Sequence, residues 1–575
     1  MGGISRKQLV LAVLILLLLA AGGWLYANRV QRVEMAAYVP ESALGYLEIN
    51  DWTQVFERLS ATRAWRQLAP LYGIPDKLSY VGKAGWLAQL GVGGEAGIIA
   101  RSQIALVVTG IEVRGEEVKP HLALIAETHS NANTLRQVAA ARLPRFAREA
   151  FGQDVRETSE YSGVTVTSHW AKTGDRGMFA AQIESELIVA NQMDALRACI
   201  DARQGRAASM ANNFYWRSSR EIVERDGSAF GFVTAEGVTR LLRFGAFLMS
   251  GGAFGKAALA GAVGEVFTEF SSRTADGIAY GASFENGEVV DRYALLFKPE
   301  LVDALKAAVK PGGRDARAVG AVPAPARNLT LISVENPMKT LDGLEAAISS
   351  RVGAAQGFLL HQFLLSAREA FFGLQRGGKA DEAVGDEIAS FDLPAPQARD
   401  DAARDRVWLV AVRDAALMLA IVERAMIAGG AVLSRDKHRG VEILSSSDAV
   451  RGSAAIAGEF LLLGRRERLA QVIDLVAGGQ TLATLPPFAA ATPIRSPAAI
   501  RSYDAATEES VEMMKTIAGW TGTSGAPPAR PVPSLPWAAS ATSVHDRGIY
   551  IESHSPFGNF PFFISLASSG KTTRE

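Results

Sequence analysis

The sequence predicts an α+β fold: an N-terminal transmembrane helix followed by two tandem repeats, each a mostly antiparallel sheet with helices packed on one face. Three observations predict it. An uncharged apolar block stands near the start, strand-like runs interleave with amphipathic helix patterns, and several segments recur in the same order in the second half. At 575 residues the chain has room for more than one domain. It is 48% hydrophobic and 21% charged, which allows large cores and excludes global disorder.

The first element is the block Leu9 to Ala27, LVLAVLILLLLAAGGWLYA, which carries no charge. As a helix it nearly spans the ~30 Å hydrocarbon core of a bilayer. Arg6 and Lys7 precede it, Trp24 and Tyr26 stand where interfacial aromatics belong, and Arg29 and Arg32 follow. The short leading side favours a cytoplasmic N-terminus with everything after it exported. A cleaved signal peptide ending near Ala20-Ala21-Gly22 is the rival reading, and the apolar run continuing through Trp24 favours retention. The expected localisation is the bacterial inner membrane, single-pass, with the remainder in the periplasm or outside the cell. The single cysteine, Cys199, excludes an intrachain disulfide framework and suits an export route. Its apolar setting, LRACI, reads as buried filler rather than a nucleophile.

The recurrence comes next. Tyr46 to Asp51 (YLEIND) resembles Leu331 to Asn336 (LISVEN), and Ile104-Ala105 matches Ile388-Ala389. HLALIAE from His121 matches WLVAVRD from Trp408. In the longest match Glu186 falls on Glu459, Leu196 on Leu469, Ile200-Asp201 on Ile473-Asp474 and Gly205 on Gly478. Gly277 to Gly287 (GIAYGASFENG) falls on Gly548 to Gly558 (GIYIESHSPFG). Five anchors in one order imply an internal duplication. The expected domains are 1–37 as cytoplasmic stub, anchor and juxtamembrane segment, 38–300 as the first repeat, 301–324 as linker, 325–566 as the second repeat and 567–575 as tail.

Within each repeat, runs such as ALVVTGIEV, HLALIAET and GVTVTSHW read as half-buried strands, while TLRQVAAARLPRFAREAF and MDALRACIDA read as helices. Asn286-Gly287 between two strand runs reads as a two-residue hairpin turn. Lys310 to Arg327, Gly377 to Arg406 and Gly522 to Trp537, the last with five prolines, read as linkers or loops. Leu241 to Phe270 is apolar and Gly-rich, but Lys256 at its centre would cost about 2.5–3.5 kcal/mol in a bilayer. A helix pair broken at Gly251-Gly252 is the better reading.

Candidate chemistry fails on context. Gly91 to Gly97 approximates a dinucleotide fingerprint but precedes a strand instead of following one, and Gly251 to Lys256 is one residue short of a phosphate loop with Ala257 where Ser or Thr must stand. Ser434-Arg-Asp-Lys437 and Lys172-Thr-Gly174 imitate penicillin-interacting motifs in the wrong order. The seven histidines (His121, His129, His169, His361, His438, His545, His554) form no helical metal pair, and His545 and His554 would point to opposite faces of one strand. The matched carboxylates Glu186 with Glu459 and Asp201 with Asp474 have no matched partner and read as repeated turn or cap contacts. The prediction is therefore no catalytic, cofactor-binding or metal-binding residues, no cofactor and no enzyme. Zero formal net charge gives no footprint for nucleic acid.

The proline-led start Tyr38-Val39-Pro40 before GYLEIN, a unit ending near Asn213-Phe214 and the late GIYIESHSPFG strand follow the single apolar span. This pattern resembles an uncharacterised bacterial membrane-anchored envelope protein family, a domain of unknown function. The resemblance covers most of the chain after the span and implies a bacterial anchored ectodomain, with no activity attached. The function expected is a non-catalytic, membrane-anchored extracytoplasmic binding or scaffold protein, attached through Leu9 to Ala27 and open to a protein partner. The alternatives are a carrier of a lipid or other apolar ligand, and an unrecognised envelope hydrolase.

Overall fold

The computed structural model describes residues 32–74, 98, 102–114, 117–152, 155–171, 176–224, 227–251, 257–312, 316–354, 357–358, 361, 379–394, 406–427, 430–448, 452–491, 494, 497–521 and 530–561. The chain divides into two compact units. The first takes Met1–Ala61, Ile74–Ser218 and Asp226–Phe232; the second takes Thr62–Gly73, Ser219–Arg225 and Val233–Glu575.

The first unit holds β1 (Gly45–Ile49), β2 (Gln103–Arg114), β3 (Glu117–Glu127), β4 (Val155–Tyr161), β5 (Val164–Trp170), β6 (Gly177–Ile183), β7 (Glu186–Ala190) and most of β8 (Ala229–Thr234). Their pairings give the order β4-β5-β6-β7-β3-β2-β1-β8. Two helices matter for the site, α1 (Ala132–Phe151) and α2 (Met193–Arg203). The side chain of Asn131 caps α1 by accepting from the Asn133 amide. Leu196, Cys199 and Ile200 form the buried stripe of α2.

Successive residues of β7 show where these helices lie, because neighbours on a strand point to opposite faces. Arg203, at the end of α2, donates from Nε to both carboxylate oxygens of Glu186, at 2.9 and 2.7 Å. Leu187, the next residue, lines a cleft together with residues of α1. Helices therefore cover both faces, and the expected packing on one face is corrected.

The second unit contains β9 (Ala275–Glu285), β10 (Glu288–Phe297), β11 (Arg327–Ser333), β12 (Val384–Asp392), β13 (Arg406–Val412), β14 (Leu433–His438), β15 (Val441–Ser446), β16 (Ser453–Ala457), β17 (Phe460–Gly464), β18 (Ile500–Asp504), β19 (Ala538–His545) and β20 (Gly548–Ser555). Antiparallel pairing runs β9-β10-β20-β19-β18-β11-β12-β13-β17-β16-β15-β14. Strand β13 again shows burial on two sides. Val407, Leu409 and Ala411 join one core with Leu469, Val472 and Ile473 of α4 (Arg466–Ala477). Val410 joins another with Met418, Val422 and Met426 of α3 (Ala415–Ile427).

The pairing scheme also corrects the arrangement as two separate sheets. β10, on the first-repeat side of the expected boundary, pairs along its length with β20 of the second, from Val289↔Ser555 to Leu296↔Gly548. The sheet of the second unit thus runs unbroken from β9 to β14 rather than starting afresh after a linker. Residues 301–324 are themselves built in. Leu301, Val302 and Leu305 of the helix Pro299–Ala308 are buried, and Ala318 and Val322 lie in the core with Leu329. The late anchor is also reassigned: Gly277 to Gly287 makes β9 and its turn, whereas Gly548 to Ser555 is β20, the hairpin partner of β19.

Among the described residues no helix is long and apolar enough to cross a membrane. Leu9 to Ala27 lies outside the described residues. The transmembrane helix, the single-pass inner-membrane placement and the extracytoplasmic localisation built on it are accordingly not supported. The apolar stretch Leu241 to Phe270 falls in the helices Ala235–Gly251 and Ala257–Thr274, with 252–256 outside the described residues.

Close backbone approach fixes one glycine. A Cβ on Gly281 of β9 would stand 2.4 Å from the carbonyl oxygen of Val223. Backbone cannot swing aside as a flexible side chain can, so Gly281→Ala is expected to destabilise the protein by about 1–3 kcal/mol. Urea unfolding checks this; an unchanged midpoint would mean that the helix Phe214–Val223 is free to shift.

Candidate functional site

One concavity of the first unit is an open cleft of about 570 Å³. Its floor is β5, where Thr165, Thr167 and His169 alternate onto one face. β4 contributes Arg156, which stands directly across from His169 in the strand register, and β6 contributes Ala180 and Gln182. The wall is α1, through Arg136, Ala139, Ala140, Leu143 and Pro144.

Local sequence explains this shape. Pro144 lies inside α1 and carries no N–H, so the carbonyl of Ala140 lacks its usual helical donor. Leu135 and Ala147 bury the helix on either side of that point, and the small side chains of Ala139 and Ala140 between them project little into the cleft. Arg136 and Arg156 are exposed, while His169 is buried. Arg136 Nη1 donates to Asn133 Oδ1 at 2.9 Å. Gln182 donates its amide to the carbonyls of Ala132 and Glu184, at 2.7 and 2.9 Å, tying the start of α1 to the β6–β7 turn. Glu184 is the one carboxylate among the described lining residues, and its Oε2 lies 3.7 Å from the Arg203 guanidinium.

A second polar group lies on the α2 side of the same sheet. Gln103, Glu127 and Glu186 align across β2, β3 and β7, and all three are buried. Asn50 accepts from Gln103 Nε2 at 3.0 Å. Gln103 exchanges hydrogen bonds with the backbone of Val33, which fastens the chain ahead of the buried segment Met35–Tyr38. Burial raises the carboxyl pKa of Glu186, opposed by the hydrogen bond from Arg203. Burial also raises the Tyr38 phenol, with Glu186 and Glu127 adding to the effect. This network is buried and joins the protein's own segments to one another.

The residues singled out from sequence do not converge. Glu186 faces Arg203, but Glu459 falls on the β16–β17 turn, where Ala457 pairs with Phe460, and it meets Arg317 at 3.0 Å. Asp201 and Asp474 do play like parts. Asp201 accepts from the Tyr161 hydroxyl at 2.9 Å, and Asp474 lies 3.0 Å from His438 Nε2. Tyr161 and His438 each end the first strand of a hairpin, so each aspartate ties a hairpin to the helix that carries it. Ser434 and Lys437 lie on β14, while Lys172 to Gly174 and Gly91 to Gly97 lie outside the described residues. Cys199 is fully buried and its thiol is pushed up to about 12, which keeps it protonated and inert.

The histidines scatter as well. His129 bonds Gln103 at 3.1 Å, and His361 pairs with Glu345. His545 and His554 stand on neighbouring strands joined by a two-residue turn, so they share a sheet face instead of opposing one another. Among the described residues no group of three His, Cys, Asp or Glu is placed to hold a metal ion. The cleft residues Arg136, Arg156 and Gln182 were missed from sequence because they sit on a helix and two separate strands. Pro144 within an otherwise regular helix pattern was the one signal that could have pointed there. Comparison with family models, curated proteins and solved structures finds no match to this chain.

Proposed function

We propose that this chain is a non-catalytic binding protein whose ligand site is the cleft beneath α1. The cleft itself carries the reading. Its volume, about 570 Å³, falls in the usual range of small-molecule sites, and it joins a few convergent polar groups to an apolar wall. A floor of Thr165, Thr167 and His169 suits a polar ligand better than a lipid, which argues against carriage of an apolar molecule. A hydrolase would need an acid–base pair facing the reacting atoms, and the lining carboxylate Glu184 is engaged with Arg203.

Native mass spectrometry of the full chain after incubation with a small-molecule extract of its expression host tests the proposal. Ala140 is exposed on α1, so Ala140→Trp fills the cleft without disturbing the core. Adducts are expected on the parent chain and not on the variant. A parent chain without adducts, or equal adducts on both, would overturn the reading.

A further inference from the structure

We propose that the ligand held in the cleft is an oxyanion, a carboxylate or phosphate group gripped by Arg136 and Arg156. This deepens the binding reading above and rests on it. The two arginines line the cleft from different elements, one from the helical wall and one from the strand at the rim of the floor. Guanidinium is the side chain best matched to planar or tetrahedral oxyanions, since it presents several donors in a fixed fork. Among the described residues, the lining offers the two arginines no carboxylate that is not already beside another cation. The lining carboxylate, Glu184, sits beside Arg203, and Arg136 spends one of its donors on the neutral carbonyl of Asn133. Thr165 and Thr167 add hydroxyl donors on the floor between the two arginines' elements, and His169 closes the inner end beside Arg156 in the register. A concave wall that excludes part of the solvent strengthens such charge-assisted bonds relative to open water.

Both arginines are exposed, so their replacement by glutamine leaves the core intact. The experiment is isothermal titration of the full chain, at low ionic strength, with inorganic phosphate and separately with citrate as probes. The parent is expected to bind at least one of them, and a preference between the two assigns the group as phosphate or carboxylate. Arg136→Gln and Arg156→Gln are each expected to weaken that binding by about 10-fold or more, the double variant to abolish it, and added chloride to compete. Failure of both anions to bind, or binding that both glutamine variants retain at parental strength, overturns the inference. If Ala140→Trp still removes a neutral adduct in the mass-spectrometric test while neither anion binds, the cleft remains a binding site and the anion assignment alone falls.

Discussion

Arg292→Met is expected to lower the unfolding free energy by about 3 kcal/mol, because it takes a buried guanidinium away from two partly buried carboxylates and from the buried Ser283 hydroxyl. Arg292 stands in the middle of β10, between Gly281 of β9 and Glu552 of β20, and is almost wholly buried. Its guanidinium donates to Ser283 Oγ at 2.7 Å, to Glu285 Oε1 at 2.8 Å and, through Nε, to Glu552 Oε2 at 3.1 Å. Glu552 also takes hydrogen bonds from His554 and Tyr550, at 2.9 and 3.1 Å. These partners, His554 foremost and Arg292 with it, hold the Glu552 carboxyl down at about 2 against the opposing effect of burial. Methionine keeps most of the length of the side chain but donates nothing. Glu285, one-third exposed, turns to water, whereas Glu552 is only 19% exposed and has less recourse to it.

The double variant Arg292→Met with Glu552→Gln removes both charges of the central pair. It is expected to recover at least about 1 kcal/mol of the loss, as contacting residues in one network do. Urea denaturation of the parent, the two single variants and the double variant gives the coupling directly. Additive losses would show that the pair contributes only through packing. The location makes the consequence larger than a local one. Arg292 and Glu552 are one of the facing pairs between β10 and β20, near the middle of that seam, so the seam weakens where the sheet of the second unit depends on it.

Short-range signals in the sequence were legible where one residue type has one physical use. Asn286 and Gly287 both take positive φ, at 52° and 78°, and form the turn between β9 and β10 that the Asn-Gly pair calls for. Asp546-Arg547 makes an equally short turn between β19 and β20 with no such signature. Without it the stretch from His545 to His554 reads as one strand, and the two histidines are put on opposite faces. Two-sided burial was hidden for a different reason. WLVAV in β13 and FLLL in β17 are unbroken apolar runs, and the side of the sheet that each residue takes cannot be told from a run without alternation. The candidate site was the least legible part. Arg136, Arg156, His169 and Gln182 line one cleft only because β4, β5 and β6 pair in sequence and α1 lies over them, and no local pattern announces that arrangement.

Asp291, beside Arg292 on β10, provides an opposite electrostatic test. It points to the other face, is almost fully buried and accepts from the Tyr280 hydroxyl at 2.7 Å. Burial is the main cause that pushes its carboxyl up to about 6, while Tyr280, the Asn559 backbone and Arg292 pull it down less strongly. In the unfolded chain the same group titrates near 3.9. Between those values the folded state holds the proton and the unfolded state has lost it. The contribution of Asp291 is therefore fully present below about 3.9 and disappears as pH rises through about 6, a change of about 3 kcal/mol at most. Glu552 acts in the reverse sense, because its lowered value yields stability that is present above about 4.5 and lost as pH falls toward 2. Asp291→Asn removes the first of these slopes while keeping an acceptor for Tyr280. The difference in unfolding free energy between parent and variant is expected to move in the variant's favour from pH 4 to pH 7, then stay level. A constant difference across that range would mean that Asp291 is already ionised in the folded protein at pH 4.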